Sequence, residues 1–182
     1  MNFNEYLELN SRVAGSIPSQ VLNEFLSGLA RVRDSGRTLW IAGNGGSSST
    51  ASHAVVDFVK TATSFGSNPL RSSALSEMIS LQTALANDIA FEDAFAASVD
   101  FLAEPGDAVL ILSVSGTSPN LLRLVESAKN QNLAVFAITG TKGKDLCTNA
   151  DFGICLESED YQIVENLHLL LIHWFTKQLG NE

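Results

Sequence analysis

The chain has 182 residues, 45% of them hydrophobic and 17% charged, with a formal net charge of −9 and an isoelectric point near 4.7. That length suits one domain, and that apolar content is enough to bury a core without metals or disulfides. The acidic balance, unrelieved by any Lys/Arg stripe, opposes nucleic acid as a direct partner, and no stretch approaches the roughly 18 uninterrupted apolar residues of a membrane span.

The N-terminus, MNFNEYLELNSR, is polar and acidic, with neither a basic start nor an apolar signal region, so a cytoplasmic protein is expected. Residues 3–13 and 18–33 read as two helices, the second carrying Ile17, Val21, Phe25, Leu26 and Leu29 at helical spacing. Five apolar runs follow, with helical segments between them: Thr38–Ala42, Leu70–Ala74, Ala108–Ser113, Ala134–Thr139 and Phe152–Leu156. Strands alternating with helices predict a parallel sheet covered on both faces. Pro105-Gly106-Asp107 turns into the third strand and Gly140-Thr141-Lys142-Gly143 leaves the fourth. Cys147 and Cys155 form no CxxC pattern and are too sparse for a secreted disulfide framework, so both are expected as reduced thiols.

Ligands of open parallel sheets sit beyond the carboxyl ends of the strands, and the loops after strands one and three are unusual. The first is Gly43-Asn44-Gly45-Gly46-Ser47-Ser48-Ser49-Thr50, followed by a helical pattern through Lys60. Glycines allow a tight turn and close backbone approach, while the Ser/Thr run places hydroxyls and N–H groups at a helix start, where anions are stabilised. It is not a Walker A loop, for there is no GK[ST], and Ser48 stands where a dinucleotide fingerprint has its third Gly. A Gly turn with a Ser cap also serves structural ends alone.

The second loop is Ser113-Val114-Ser115-Gly116-Thr117-Ser118-Pro119-Asn120, leading into the helical run LLRLVESAKN. Ser118 as N-cap and Pro119 in the first turn have structural explanations. The remaining hydroxyls do not, and Ser113, Ser115, Thr117 and Ser118 are read as a phosphate cradle that needs no Lys or Arg.

GNGGSSSTASH and SVSGTSPN together resemble the sugar isomerase (SIS) domain and, within it, the phosphoheptose isomerase family, which shows GNGGSAADAQHxxxE and STSGNSxN. The resemblance extends to the two leading helices, to Asn87-Asp88 with Phe91-Glu92 against the family's NDYGYE, and to EDYQIVENLHLLLIH against TDxxRIQExHxxxxH. It covers essentially the whole of residues 1–182 as a single domain. It implies a three-layer α/β fold with a five-stranded parallel sheet flanked by helices, preceded by N-terminal helices (residues 1–35) that take part in oligomerisation. The activity it implies is conversion of sedoheptulose 7-phosphate to D-glycero-D-manno-heptose 7-phosphate, in a homotetramer with active sites between subunits and often with zinc. Ser47, Ser113, Ser115 and Ser118 would hold phosphate, with Gly45, Gly46 and Thr117 in the same loops, and Asn44 and Asp88 would contact the sugar. A carboxylate at Asp57 and an imidazole at His173 would carry the proton transfers, with Glu165 as reserve base, and His53, Asp57, Glu165 and His173 would form a site for zinc or another divalent metal.

His53 and Asp57, four apart in a helix, share one face and are able to share a metal. Glu165 and His173 lie eight apart in a helix that is apolar almost all round, a separation of about 12 Å along the axis, so both reach one ion only if side chains converge from both sides or from different subunits. His168 lies about 140° round the helix from His173 and is read as structural. Two departures from the family pattern matter: Asp57 replaces Glu, one methylene shorter, and Glu165 replaces Gln. These changes leave open a non-catalytic SIS module that binds a phosphosugar or a protein, like the relative that binds the bacterial replication initiator, and an isomerase of another sugar phosphate.

Overall fold

The structure is a computed structural model that describes residues 1–66 and 68–181, with the backbone alone for Phe65 and Asn181. Two helices lead, α1 (Phe3–Gly15) and α2 (Ser19–Asp34), and α1 starts in a reciprocal capping box between Asn2 and Glu5. There follow β1 (Leu39–Ala42), α3 (Gly46–Val56), β2 (Ser72–Ala74), α4 (Ile79–Asp88), α5 (Ala94–Leu102), β3 (Ala108–Ser113), α6 (Pro119–Asn130), β4 (Ala134–Thr139), α7 (Lys144–Asn149), β5 (Phe152–Cys155) and α8 (Tyr161–Asn181). The five strands make one parallel sheet in the order β2-β1-β3-β4-β5.

The expected alternation of elements is present, with differences at the edges. The second strand is shorter than the apolar run that announced it, because only Ser72–Ala74 pair with β1. The helix expected through Lys60 is α-helical to Val56 and then widens into a π turn over Asp57–Thr61. Such wide turns insert a residue into the helical ladder and are frequent at functional sites.

Every residue of β1 and β3 is buried, and alternate side chains enter opposite layers. Leu39, Ile41, Leu110, Leu112, Phe136 and Ile138 face α2, α3 and α8, where Phe25 stacks on Phe175 and meets Phe136 edge-on. Trp40, Ala42, Val109, Ile111, Val135 and Ala137 face α5, α6 and α7. The three-layer arrangement is therefore a direct product of two-sided apolar strands. Although α8 is apolar all round, most of it is covered by its own chain: Ile163, Val164, Leu167, Leu171, Ile172, Phe175 and Leu179 are buried, while Leu170 and His173 remain exposed. Among the described residues no helix is long and apolar enough to cross a membrane.

At the end of the sheet remote from the loops, Asp107 collects three donors: the Thr38 amide at 2.9 Å, the Trp40 indole at 3.0 Å and the Glu104 amide at 3.1 Å. It is 4% exposed and its bond to the Trp40 indole is buried, so that donor has no ready recourse to water, while the two amides are part-buried. Asp107→Ala leaves the indole unpaired and removes the other two bonds, and a loss of roughly 3 kcal/mol is expected. Denaturant titration of the variant checks this, and a midpoint equal to that of the parent would contradict it.

Candidate active site

The strand order places the topological switch point between β1 and β3, since β1 hands the chain to α3 on one face and β3 hands it to α6 on the other. Both Ser/Gly loops open into the crevice between them. A cavity of about 360 Å³ is lined there by Asn44, Gly45, Gly46 and Ser47 from the first loop, Ser113, Val114, Ser115 and Ser118 from the second, Leu112 and Leu121 beneath, and Tyr161 and Glu165 from α8.

Local backbone chemistry shapes this wall. Gly45 takes φ +56° and ψ −125° at the N-cap of α3, a conformation only glycine adopts without strain. Gly116 takes φ +63°, and a Cβ there would run into the Gly143 backbone. The turn is braced from within, for the Gly116 amide donates to Ser113 Oγ at 3.0 Å and the Thr117 amide to Ser115 Oγ at 3.3 Å. Ser118 occupies the N-cap position of α6 as expected, yet its hydroxyl makes no capping hydrogen bond. Neither α3 nor α6 has a side-chain cap, so both present N-terminal amides and a positive dipole end where the cavity lies. Among the described residues no Lys or Arg lines the cavity, and Glu165 is its one charged side chain.

Two of the expected ligand-binding residues lie elsewhere. Thr117, expected in the phosphate cradle, is exposed and does not line the cavity. Asp88 is exposed at the end of α4, where it accepts from Asn87 Nδ2 at 2.8 Å, and it too stays out of its own chain's cavity.

The expected metal ligands divide. His53 Nε2, His173 Nε2 and Asp57 Oδ2 converge: the two nitrogens are 3.0 Å apart and each lies 3.4 Å from the carboxylate oxygen. Asp57 is buried, and its Oδ2 has no hydrogen-bond partner although two imidazoles face it. A tetrahedral ion with N/O ligands at about 2.0–2.2 Å needs ligand separations near 3.3–3.5 Å, which these atoms approach. The three residues thus fit one face of a zinc-type site, with the fourth position left for water or substrate. Glu165 does not join them. It sits more than two helical turns before His173, and its carboxylate lies instead against Gly46 at the start of α3, where any Cβ would collide with it.

The third histidine is structural, as read. His168 is fully buried, with Nε2 3.1 Å from the Ile138 carbonyl and no partner for Nδ1.

The profile described as SIS domain matches residues 12–140. The chain belongs to the SIS domain family. Within it, this SIS-domain chain is 34% identical over 164 residues to the phosphoheptose isomerase of Bordetella avium (strain 197N), covering 85% of this chain and 81% of that one. It is 32% identical over 177 residues to the probable phosphoheptose isomerase of Thermoplasma acidophilum, covering 95% and 94%. The fold matches the solved phosphoheptose isomerase of Francisella tularensis with a TM-score of 0.88 at 24% identity, over 98% of this chain and 96% of the other. The phosphoheptose isomerase branch expected from the leading helices, the Asn87-Asp88 pair and the final helix is the one these relatives define.

Asn120 and Tyr161 were not singled out from sequence. Asn120 stands at the end of the second motif, but its role depends on Asn44, far away in the chain. Tyr161 opens α8 at the cavity, and no spacing signals it.

Burial pushes the His168 imidazole down to about 4, against the modest opposing effect of its bond to the Ile138 carbonyl. In the unfolded chain it titrates near 6.5, so the unfolded state binds the extra proton first as pH falls. Stability contributed by neutral His168 is present above about pH 6.5 and is lost progressively down to about pH 4. His168→Gln is expected to flatten the fall in melting temperature across that window. An unchanged slope would contradict the assignment.

Proposed function

We propose that the protein is a phosphosugar aldose–ketose isomerase acting on sedoheptulose 7-phosphate and forming D-glycero-D-manno-heptose 7-phosphate. The observation that carries this is the cavity at the switch point, walled by Ser47, Ser113, Ser115 and Ser118 and by two uncapped helix N-termini. Hydroxyls and backbone amides hold a phosphate there without a cationic side chain, which matters in a chain of net charge −9. The relatives' names, phosphoheptose isomerase, agree with that chemistry.

The reaction moves a proton between adjacent carbons through an enediol, so it needs a carboxylate that reaches the bound sugar. Resemblance favoured Asp57, with Glu165 in reserve; the geometry favours the reverse. Glu165 projects into the cavity beside Ser47, whereas Asp57 is buried between two imidazoles. Glu165 is thus assigned the proton transfer. His173, expected as the partner acid or base, turns Nε2 toward His53 and Asp57. His53, Asp57 and His173 would hold a divalent ion, zinc being the best match to their donors, and such an ion supplies Lewis-acid polarisation of substrate oxygens.

The assembly is taken to be a homotetramer of single-domain chains, residues 1–182, with the N-terminal helices at its contacts. Ile79, Ile89, Phe91, Val56 and Leu170 are large exposed apolar side chains that suit burial by a second copy. Asp88, beside Ile89 and clear of its own cavity, is then available to a neighbouring subunit's sugar. A cytoplasmic location fits the two free cysteines.

Purified protein with added zinc is expected to convert sedoheptulose 7-phosphate in deuterated buffer, with deuterium entering the product carbon next to the carbonyl. No turnover with or without zinc would refute the function. Glu165→Gln is expected to lower kcat by on the order of 10²–10⁴ at retained metal content. Asp57→Asn is expected to lose zinc, and full activity in Glu165→Gln would return the proton transfer to Asp57.

A further inference from the structure

The two ligand loops are fastened by one pair of side chains. Asn44 Nδ2 donates to Asn120 Oδ1 at 3.0 Å, and Asn120 Nδ2 donates back to Asn44 Oδ1 at 2.9 Å. Asn44 belongs to the loop after β1 and lines the cavity; Asn120 belongs to the first turn of α6, is 2% exposed and does not line it. We propose that Asn120 is a positioning residue that fixes the rotamer and plane of the Asn44 amide and so sets how tightly the sugar part of the ligand, as distinct from its phosphate, is held.

The argument is one of amide chemistry. A primary amide has two N–H donors and a carbonyl with two lone pairs, and rotation by half a turn exchanges them. A partner that both donates and accepts removes independent rotation, because flipping one amide alone sets N–H against N–H and oxygen against oxygen, so the two amides keep a common plane and turn only together. The pair uses one donor and one acceptor site of Asn44, leaving the second N–H and second lone pair for the cavity. The plane in which they lie is dictated by a residue that does not line the cavity. Burial sharpens the effect, since Asn120 has no water to substitute for Asn44 and an unpaired amide there is costly.

The pairing also couples the two halves of the site. Asn120 follows Ser118 and Pro119, so any adjustment of the α6 N-terminus around a phosphate is transmitted to Asn44 on the other loop. Since Asn44 also borders a second, largely apolar cavity with Gly43, Ser48 and Phe91, an unclasped amide has an alternative space to enter.

The inference rests on the phosphosugar reading, and the test separates the two. Dissociation constants for sedoheptulose 7-phosphate and for inorganic phosphate are measured for the parent, Asn44→Ala, Asn120→Ala and the double variant, with kcat and KM beside them. Asn120→Ala is expected to weaken sugar phosphate binding roughly tenfold or more, as small misplacements of a contact group do, while inorganic phosphate binding stays within about twofold. In the Asn44→Ala background the same substitution is expected to have no further effect beyond about twofold. Additive losses, equal losses for both ligands, or no loss would overturn the inference. If Asn120→Ala does not fold, Asn120→Asp keeps the volume and one of the two bonds and carries the same cycle. Binding without turnover by the parent would refute the isomerase assignment alone, an additive cycle the clasp alone, and failure to bind the sugar phosphate both.

Discussion

The site exists because β1 and β3 are neighbours whose chains leave in opposite directions. Side by side in parallel register, Ala42 opposite Ile111, they bring two loops 70 residues apart in sequence to a common edge. The sending of α3 to one face and α6 to the other opens the crevice between them. Everything placed there follows: two helix N-termini aimed at one space, hydroxyls arrayed around it, and an amide pair that joins the two loops. A cavity that binds an anion by dipoles and hydroxyls needs no excess of positive side chains, and an acidic chain is free to build one.

A second division runs along α8. One helix supplies Tyr161 and Glu165 to the cavity and, two turns later, His173 to the cluster with His53 and Asp57. The rise of an α-helix, about 1.5 Å per residue, keeps these groups apart and orders them along the path a sugar phosphate would span. Helix α3 runs in parallel service, with Gly46 and Ser47 at its start and His53 at its end, and the π turn begins at Asp57 itself.

Much of this was legible in the chain. Continuous apolar runs of four to six residues marked β1, β3 and β4, since two-sided burial in a parallel sheet leaves no polar face to interrupt them. The Ser/Gly loops stood out because two of them occupy equivalent strand-to-helix junctions, and their hydroxyls exceed what N-capping requires. What escaped notice depended on distance in sequence. Asn120 resembles an ordinary first-turn residue until Asn44 is seen against it, 76 positions away. The separation of Glu165 from the histidines was foreshadowed by helix rise, but not its placement against Gly46, which depends on how α8 lies across α3. Asp107, next to a turn, gave no hint that it gathers three donors from two other segments.

The most direct measurement is a crystal structure of the protein with sedoheptulose 7-phosphate bound. The geometry predicts the phosphate among Ser113, Ser115 and Ser118 against the α6 amides, with the sugar passing Asn44 and its reacting carbons beside Glu165. A phosphate held instead by lysines or arginines away from the β1/β3 crevice would contradict it.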